Sequence, residues 1–457
     1  MQSPVIDHLL RSPEFHRATP LLVACSGGRD SMTLLHALYV SGHTHLHVAH
    51  CNFTLRGEES DGDQILVENF CKDRQLPFHT VHFPTSAYAR ERGISTQMAA
   101  RELRYEWLEK VRKENDLHLV VVAHNKNDQA ETVLLNLIQG TGIHGLKGML
   151  SKNDKIVRPL LQVSREEIDQ YVLQHGLLYR EDSSNASSHY KRNYIRHEIM
   201  PRLKELNSDI LEQLSSFSKR MEETALLFNE QVSRIRKKVL VQWKEGYKLH
   251  LAYLLAHAAG DTLAHELLTP FGMTAEQVRE LMTTAKGFKR QNASGQTFLT
   301  RDYRLVMDRK SLYILPVVSD IQSLISYDHW PNQIVFNEYK IDVRLQPVSK
   351  VNMTRSERYA YLDADKISFP LQIRYPQQAD YFYPFGLGKN RSPDQPGKKK
   401  LSKYFKDLKI PVPERERTPV LLGGEKIIWL AGQRIDDRFK VTESTKNVVV
   451  LVITKSQ

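Results

Sequence analysis

Cysteine is scarce in this 457-residue chain: Cys25, Cys51 and Cys71 are all there is, and none forms a Cys-x-x-Cys pair. A zinc ribbon and a disulfide scaffold are thereby excluded. No run of eighteen apolar residues occurs, so no transmembrane helix is expected. Met1-Gln2-Ser3-Pro4 lacks a basic segment ahead of an apolar core, so no signal peptide is expected and the cytoplasm is the default compartment. A convincing internal repeat and a long low-complexity tract are also absent. What remains is an ordinary globular composition, 41% hydrophobic and 26% charged, long enough for two to four domains. The net charge of +11 favours a polyanionic partner, nucleic acid before membrane. A basic enzyme with no such partner is the competing reading.

The most informative stretch is Ser26-Gly27-Gly28-Arg29-Asp30-Ser31, between the apolar run 21–25 and the helical pattern 32–38. A strand, a Gly-Gly turn and a helix N-terminus make an anion site, because glycine lets backbone approach a phosphate and the helix end offers unpaired N–H groups. Ser26 and Ser31 add hydroxyls, and Asp30 is placed to hold Mg²⁺ on the phosphates. The Gly-Lys-Ser/Thr ending of the Walker loop is missing, so this is not that loop. A plain Ser/Gly turn is the bland alternative.

Apolar runs at 21–25, 46–49, 78–83 and 118–123 read as strands, with amphipathic helices at 31–40, 60–74, 96–113 and 127–139 between them. The alternation predicts an α/β domain with a Rossmann-like parallel sheet over residues 1–205, whose ligands lie beyond the carboxyl ends of the strands. Ser26, His50 and His124 each follow a strand. From 206 to 318 a helical middle domain is expected, with Leu206–Lys238 amphipathic and a further helix over His265–Ala285. After a linker near 315–330, short β-rich runs predict a small α+β domain over 330–457.

Four further constellations carry chemistry. In His50-Cys51-Asn52-Phe53-Thr54-Leu55-Arg56-Gly57, the polar residues His50, Asn52 and Arg56 can reach a nucleotide. The alternating His43, His45 and His47 read as an ordinary strand face, since no carboxylate or thiolate stands at ligand spacing. Arg101, early in a helix with Tyr105, can neutralise phosphate charge or be a solvated helix residue. In His124-Asn125-Lys126-Asn127-Asp128-Gln129-Ala130-Glu131-Thr132, Asp128 and Glu131 share one helix face, close enough to share Mg²⁺ or to take a proton from an amine; capping of a first helical turn is the alternative. Tyr190-Lys191-Arg192-Asn193-Tyr194-Ile195-Arg196-His197 mixes rings and cations as RNA contacts do, or as a helix surface does. Finally, 374–440 holds fifteen Lys/Arg against eight Asp/Glu, so +7 of the +11 lies there. Its centre is Lys398-Lys399-Lys400-Leu401-Ser402-Lys403-Tyr404-Phe405, with Arg415 beyond; concentrated charge tilts this block towards nucleic acid.

Taken together these segments resemble the tRNA(Ile)-lysidine synthetases, within the PP-loop or N-type ATP pyrophosphatase superfamily. The resemblance rests on the loop at 26–31, His-x-Asn-x-x-Leu-Arg-Gly at 50–57, Ala-His-x-x-x-Asp-Gln-x-Glu-Thr at 123–132, Arg158-Pro159-Leu160, Arg-Asn-x-x-Arg-His at 192–197 and the Lys-Lys-Leu…Phe…Ile-Pro…Arg block at 399–417. It implies ATP-dependent ligation of L-lysine to C2 of the wobble cytidine of the CAU anticodon in tRNA(Ile), through an adenylated cytidine, which changes codon reading from AUG to AUA. It implies that Ser26, Gly27, Gly28, Arg29, Asp30 and Ser31 bind ATP, with Asp30, Arg101 and Asp128 catalytic and Asp30 and Asp128 candidate Mg²⁺ ligands. His50, Asn52, Arg56, His124, Glu131, Arg192, Asn193 and Arg196 then face substrate, and Arg374, Lys399, Lys400, Lys403 and Arg415 grip tRNA. No membrane partner is implied, and a homodimer stays open. One departure stands out: the family's Arg…Gly-Asp element reads Arg374…Ala379-Asp380 here, so position 379 need not take a positive φ. Two rivals remain. A tRNA cytidine thiolase would need cysteine pairs, and a non-catalytic tRNA-binding protein would have no use for Ser26, Asp30, Ser31 and Asp128.

Overall fold

The computed structural model describes residues 4–11, 16–55, 57–181, 191–287, 295–317, 322–354, 356–386 and 397–455. Arg56, the stretch 182–190 and most of the loop 388–400 lie outside the described residues. The chain divides into two compact units, Met1–Glu230 and Gln231–Gln457.

The first unit opens with α1 (Pro4–Arg11), β1 (Leu21–Ala24), α2 (Arg29–Val40), β2 (Leu46–Asn52), α3 (Glu58–Asp73) and β3 (Phe78–His82). It continues through α4 (Thr85–Arg92), α5 (Thr96–Glu114), β4 (Leu119–Val121), α6 (Lys126–Ile138), α7 (Ile143–Leu146), β5 (Lys152–Asn153), β6 (Ile156–Val157) and α8 (Arg165–His175). Six strands form one sheet in the order β3-β2-β1-β4-β6-β5, parallel except for the β5–β6 hairpin. Its central strands are buried on both faces, as parallel strands covered by helices must be. Leu21, Val23, Leu35, Leu38 and Val48 pack one side with α1, α2 and α8, and Leu22, Ala49, Leu108, Val111 and Val120 pack the other with α5. The strand order reverses direction between β1 and β4, and the crevice at such a switch point is where an open α/β sheet takes its ligand.

The short helix α9 (Lys191–Tyr194) runs through a single π-turn at Ile195–Ile199 into α10 (Met200–Leu206) and then α11 (Ile210–Val239), the expected amphipathic segment, inside which the two units divide. Ile195 and Met200 seat this stretch against Ala130 of α6.

The second unit begins with the expected helical content, α12 (Leu251–Ala256), α13 (Gly260–Leu268) and α14 (Ala275–Gly287). Beneath these helices lies a five-stranded antiparallel sheet that the sequence reading did not anticipate. It comprises β7 (Leu240–Trp243), β8 (Gly246–His250), β9 (Thr297–Leu299), β10 (Tyr303–Asp308) and β11 (Ser311–Pro316), ordered β7-β8-β11-β10-β9. Leu249, Leu305, Met307, Leu312 and Ile314 cover the helices' apolar faces, so the strands exist because the helices supply a face to pack on.

The remainder is the expected β-rich region: β12 (Leu324–Tyr327), β13 (Gln333–Phe336), β14 (Tyr339–Pro347), β15 (Tyr359–Asp363), β16 (Leu371–Arg374), β17 (Tyr381–Phe382), β18 (Lys399–Lys400), α15 (Leu401–Asp407), α16 (Val412–Glu416), β19 (Val420–Gly423), β20 (Lys426–Leu430), β21 (Arg434–Ile435) and β22 (Asn447–Lys455). The sheets β12-β16-β19-β20-β21 and β13-β14-β22-β15 share one core around Phe336, Ile341, Leu371, Trp429 and Leu451. No helix among the described residues is long and apolar enough to cross a membrane.

Candidate active site

The candidate site lies beyond the carboxyl ends of β1 and β4, where a cavity of about 510 Å³ opens. β1 ends at Ala24, and the chain turns through Gly27 at φ +86°. A Cβ at Gly27 would stand 3.1 Å from the Asp63 carbonyl oxygen, so both the dihedral and the space demand glycine. Gly28 begins α2 without any side-chain cap, which leaves the first-turn N–H groups open to an anion. Ser31 accepts from the Ser26 N–H (3.1 Å) and donates to the Gly28 carbonyl (2.9 Å), holding the loop closed on itself. Arg180 N–H donates to the Gly27 carbonyl (3.0 Å) and its guanidinium to Asp63 (2.9 Å), clamping the turn from across the unit.

Asp30 is the loop's acidic residue. Its Oδ2 accepts from Asn125 Nδ2 at 3.1 Å, while Oδ1 is buried with no hydrogen-bond partner. Burial first, then the nearby charge of Asp128, pushes the Asp30 carboxyl above its ordinary range, while Arg165 and Arg29 pull it back. A buried carboxylate oxygen with nothing to accept from is a place for a cation, and the fit for Mg²⁺ is through Asp30.

Asp128 fits that ion less well. It is the N3 residue of a capping box at the start of α6: Asn125 Oδ1 accepts from its N–H (2.9 Å) and its Oδ2 accepts from the Asn125 N–H (3.1 Å). Its Oδ1 accepts from Arg192 (3.0 Å) and Arg196 (3.2 Å). Glu131, one turn on and buried, takes the same two guanidiniums: Arg192 at 2.9 Å and Arg196 at 2.5 and 3.0 Å. The pairing of carboxylates on one helix face is as expected, with two arginines from 61 to 68 residues downstream holding it. Among the described residues no group of three or more His, Cys, Asp or Glu side chains is gathered for a metal.

The other expected site residues separate into those the cavity gathers and those it does not. Ser26, Gly28, Arg29, Asp30, Ser31, His124 and Arg196 line it. His124 keeps an unpartnered, buried Nδ1, and burial followed by Arg158 and Arg192 pushes its imidazole down to about 3, so it is neutral at pH 7. His50 and Asn52 do not line the cavity, and here the sequence reading is corrected. The second strand runs on to Asn52, so His50 lies within it and pairs with the Cys25 carbonyl (3.0 Å), while Asn52 bonds Asp61 (2.9 Å) and the Thr54 N–H (3.0 Å). Strand alternation presents Ala49, Cys51 and Phe53 to the cavity instead. Arg101 is exposed with its guanidinium over the Tyr105 ring (5.1 Å), outside the lining; Arg104 and Tyr105 reach the cavity in its place. Asn193 lies in α9, half-buried. Of the three alternating histidines, His47 lies in β2 and stacks on His79, whereas His43 and His45 precede the strand in the turn after α2, so they do not form the one strand face expected.

Arg165, Tyr179 and Arg180 also line the cavity and were missed by the sequence reading. Ser164 caps α8 immediately before Arg165, and that capping signal at the start of the helix was the available clue to Arg165.

In the second unit, Lys399 pairs with Asp407 (2.7 Å), Arg374 with Asp380 (2.8 Å at each nitrogen) and Arg415 with the Ile410 carbonyl (2.7 Å). Ala379 is not among the residues with positive φ, so the turn is made without the conformation glycine would favour. Lys400 and Lys403 are exposed with no ion pair among the described residues. Tyr404 and Phe405 are core residues, packed with Phe382 and Val420, and are not available for stacking on bases.

Three stretches match described families: residues 3–203 a PP-loop domain, 242–317 a TilS substrate binding domain and 371–452 a TilS substrate C-terminal domain. The tRNA(Ile)-lysidine synthase of Bacteroides thetaiotaomicron is 35% identical over 453 residues, spanning 99% of this chain and 100% of its own. That of Parabacteroides distasonis is 37% identical over 438 residues, 94% of this chain and 95% of its own. Among solved structures, the U34-tRNA thiolase NcsA of Methanococcus maripaludis aligns with a TM-score of 0.40 at 18% identity, covering 48% of this chain and 78% of that one. A TilS C-terminal domain aligns with a TM-score of 0.25 at 20% identity, covering 30% of this chain and 99% of that one. With the loop, the paired carboxylates and the substrate domains in one order, and relatives matched from end to end, the chain belongs to the tRNA(Ile)-lysidine synthase family.

Proposed function

We propose that this chain ligates L-lysine to C2 of the wobble cytidine in the CAU anticodon of tRNA(Ile), using ATP and releasing AMP and pyrophosphate. The observation that carries the reading is that one crevice is lined by the anion turn (Ser26, Gly28, Arg29, Asp30 and Ser31) and by His124, while Asn125, next in sequence, bonds Asp30 and caps the helix that carries Asp128 just behind that lining. ATP phosphates and an amine-binding carboxylate are what two successive steps at one base would need side by side.

In the first step the cytidine C2 oxygen attacks the α-phosphate, an O–P bond forms, the α–β phosphoanhydride breaks, and pyrophosphate leaves into the Gly27–Ser31 turn. Open α2 N–H groups and the guanidiniums of Arg29, Arg165 and Arg180 oppose the developing charge; one such interaction is commonly worth about 3 kcal/mol of barrier. Bound through Asp30, Mg²⁺ supplies further charge neutralisation at the phosphates. In the second step the lysine ε-amine attacks C2, a C–N bond forms, the C2–O bond breaks and AMP departs. The amine must first lose a proton from a free pKa near 10.4, and Asp128 is the carboxylate we assign to orient it and to take that proton, with Glu131 beside it. A neutral His124 borders the crevice without adding charge. Residues 1–205 carry catalysis, and 206–318 and 330–457 contact tRNA, with Lys400 and Lys403 as the accessible cations of the basic block.

The test is to incubate unmodified tRNA(Ile) with ATP and labelled lysine. Label fixed in the RNA, with AMP formed in equal amount, is expected. In Asp128→Asn, lysine transfer stops while adenylated tRNA accumulates. Loss of both steps in that variant reassigns Asp128 to the first step, and no label with wild type removes the reading.

A further inference from the structure

We propose that Asn125 is a positioning residue that sets the Asp30 carboxylate for ATP and its cation, tying the anion turn after β1 to the carboxylate-bearing helix after β4. The inference rests on the function proposed above and concerns a residue that no motif reading singled out.

Asn125 is almost wholly buried, at 1% exposure, at the head of α6. Its two side-chain atoms do opposite things. Oδ1 accepts from the Asp128 N–H at 2.9 Å, and Nδ2 donates to Asp30 Oδ2 at 3.1 Å. The amide orientation follows from the chemistry: the Asp128 N–H requires an acceptor and the Asp30 carboxylate requires a donor, so the group cannot be flipped without opposing like partners. Few side chains can meet both demands. Aspartate caps a helix equally well but is acceptor-only, and would face Asp30 with a second carboxylate. Serine also caps, but carries its donor and acceptor on one atom close to the backbone.

The consequence is geometrical. With Oδ2 held by Asn125, the Asp30 carboxylate cannot turn freely about its axis, and Oδ1 stays the unpartnered oxygen. The same side chain separates the Asp30 and Asp128 carboxylates, whose charges oppose each other. Fixing a ligand's orientation through a hydrogen bond to its other oxygen is how outer partners tune cation sites. Asn125 thus ties the geometry of the ATP end of the crevice to that of the amine end.

Two variants separate this role from simple capping. Asn125→Ser keeps the cap and removes the donor to Asp30. Its melting midpoint should stay within a few degrees of wild type, while the Mg²⁺ concentration for half-maximal ATP binding, measured by calorimetry without tRNA, should rise about tenfold. Unchanged Mg²⁺ dependence in a folded Asn125→Ser protein overturns the proposal. Asn125→Asp adds a charge against Asp30, so Asp30→Asn should raise the melting midpoint more in the Asn125→Asp background than in wild type, read without Mg²⁺ or nucleotide. Equal effects in the two backgrounds mean no coupling, and also overturn it. Neither readout uses tRNA or lysine, so a wild-type enzyme that fails to fix lysine in tRNA removes the functional reading and leaves these measurements intact.

Discussion

Truncating Glu131 tests the four-residue ion cluster behind the site. Its side chain is 3% exposed and receives Arg196 through two nitrogens and Arg192 through one. Removing one partner of a buried pair typically costs 3–5 kcal/mol, because the other charge is left stranded. Two features lower that figure here. Arg192 is 38% exposed, so water screens its share, and Arg196 keeps its bond to Asp128. About 3 kcal/mol is therefore expected for Glu131→Ala. A unit of this size shifts by about 2–4 °C for each kcal/mol, so its melting midpoint should fall by roughly 6–12 °C at neutral pH. Circular dichroism melts of wild type, Glu131→Ala and Glu131→Gln provide the assay. The glutamine variant keeps the shape and should fall between the other two. Replacing both partners, Glu131→Leu with Arg196→Met, should recover much of the loss, since no buried charge remains unpaired. If Glu131→Ala melts within about 2 °C of wild type, the cluster is a surface arrangement and the reasoning is refuted.

Three further outcomes follow from the same physical arguments. Asp30→Asn should abolish pyrophosphate release yet raise the melting midpoint at pH 7: a carboxyl raised in the folded state lowers stability as pH climbs through its folded pKa, so the gain should shrink towards pH 4 and equal melts at pH 7 would refute it. The depressed His124 imidazole contributes stability above about 6.5 that is lost as pH falls towards 3, so His124→Asn should flatten the acid limb of the stability curve by up to about 1.4 kcal/mol per pH unit between pH 6 and 4, checked by urea titrations across that range. Neutralising Lys400 and Lys403 should weaken tRNA binding and reduce its log–log salt slope by roughly 0.7–0.9 for each phosphate no longer neutralised, whereas Lys399→Ala should leave the slope alone because Lys399 already pairs with Asp407.

Much of the catalytic unit was legible in the order of its residues, because the signals were local. Apolar runs of strand length alternating with amphipathic helices specify a parallel sheet, and a Gly-Gly turn between a strand and a helix specifies an anion site wherever it occurs. Asp128 and Glu131 share a face by helical periodicity alone. Tertiary structure decided what these residues meet. The guanidiniums of Arg192 and Arg196 reach Asp128 and Glu131 across more than sixty residues, Arg29 reaches Asp169, and Arg180 returns over the Gly27 turn to Asp63. No periodicity records such pairs. The turn of His50 away from the cavity depended on where β2 ends, since one face of a strand excludes the other. The sheet beneath α12–α14 was hidden because its short strands gain their stability from the helices that cover them. Tyr404 and Phe405 looked like partners for bases beside lysines, but the covering of β19 and β20 needed large apolar side chains and took them inward. Local pattern therefore determined most elements of the first unit and the phosphate turn, and the ordered motifs determined the resemblance to the family. Packing between distant elements, where each buried charge had to find a partner, decided which side chains face the crevice.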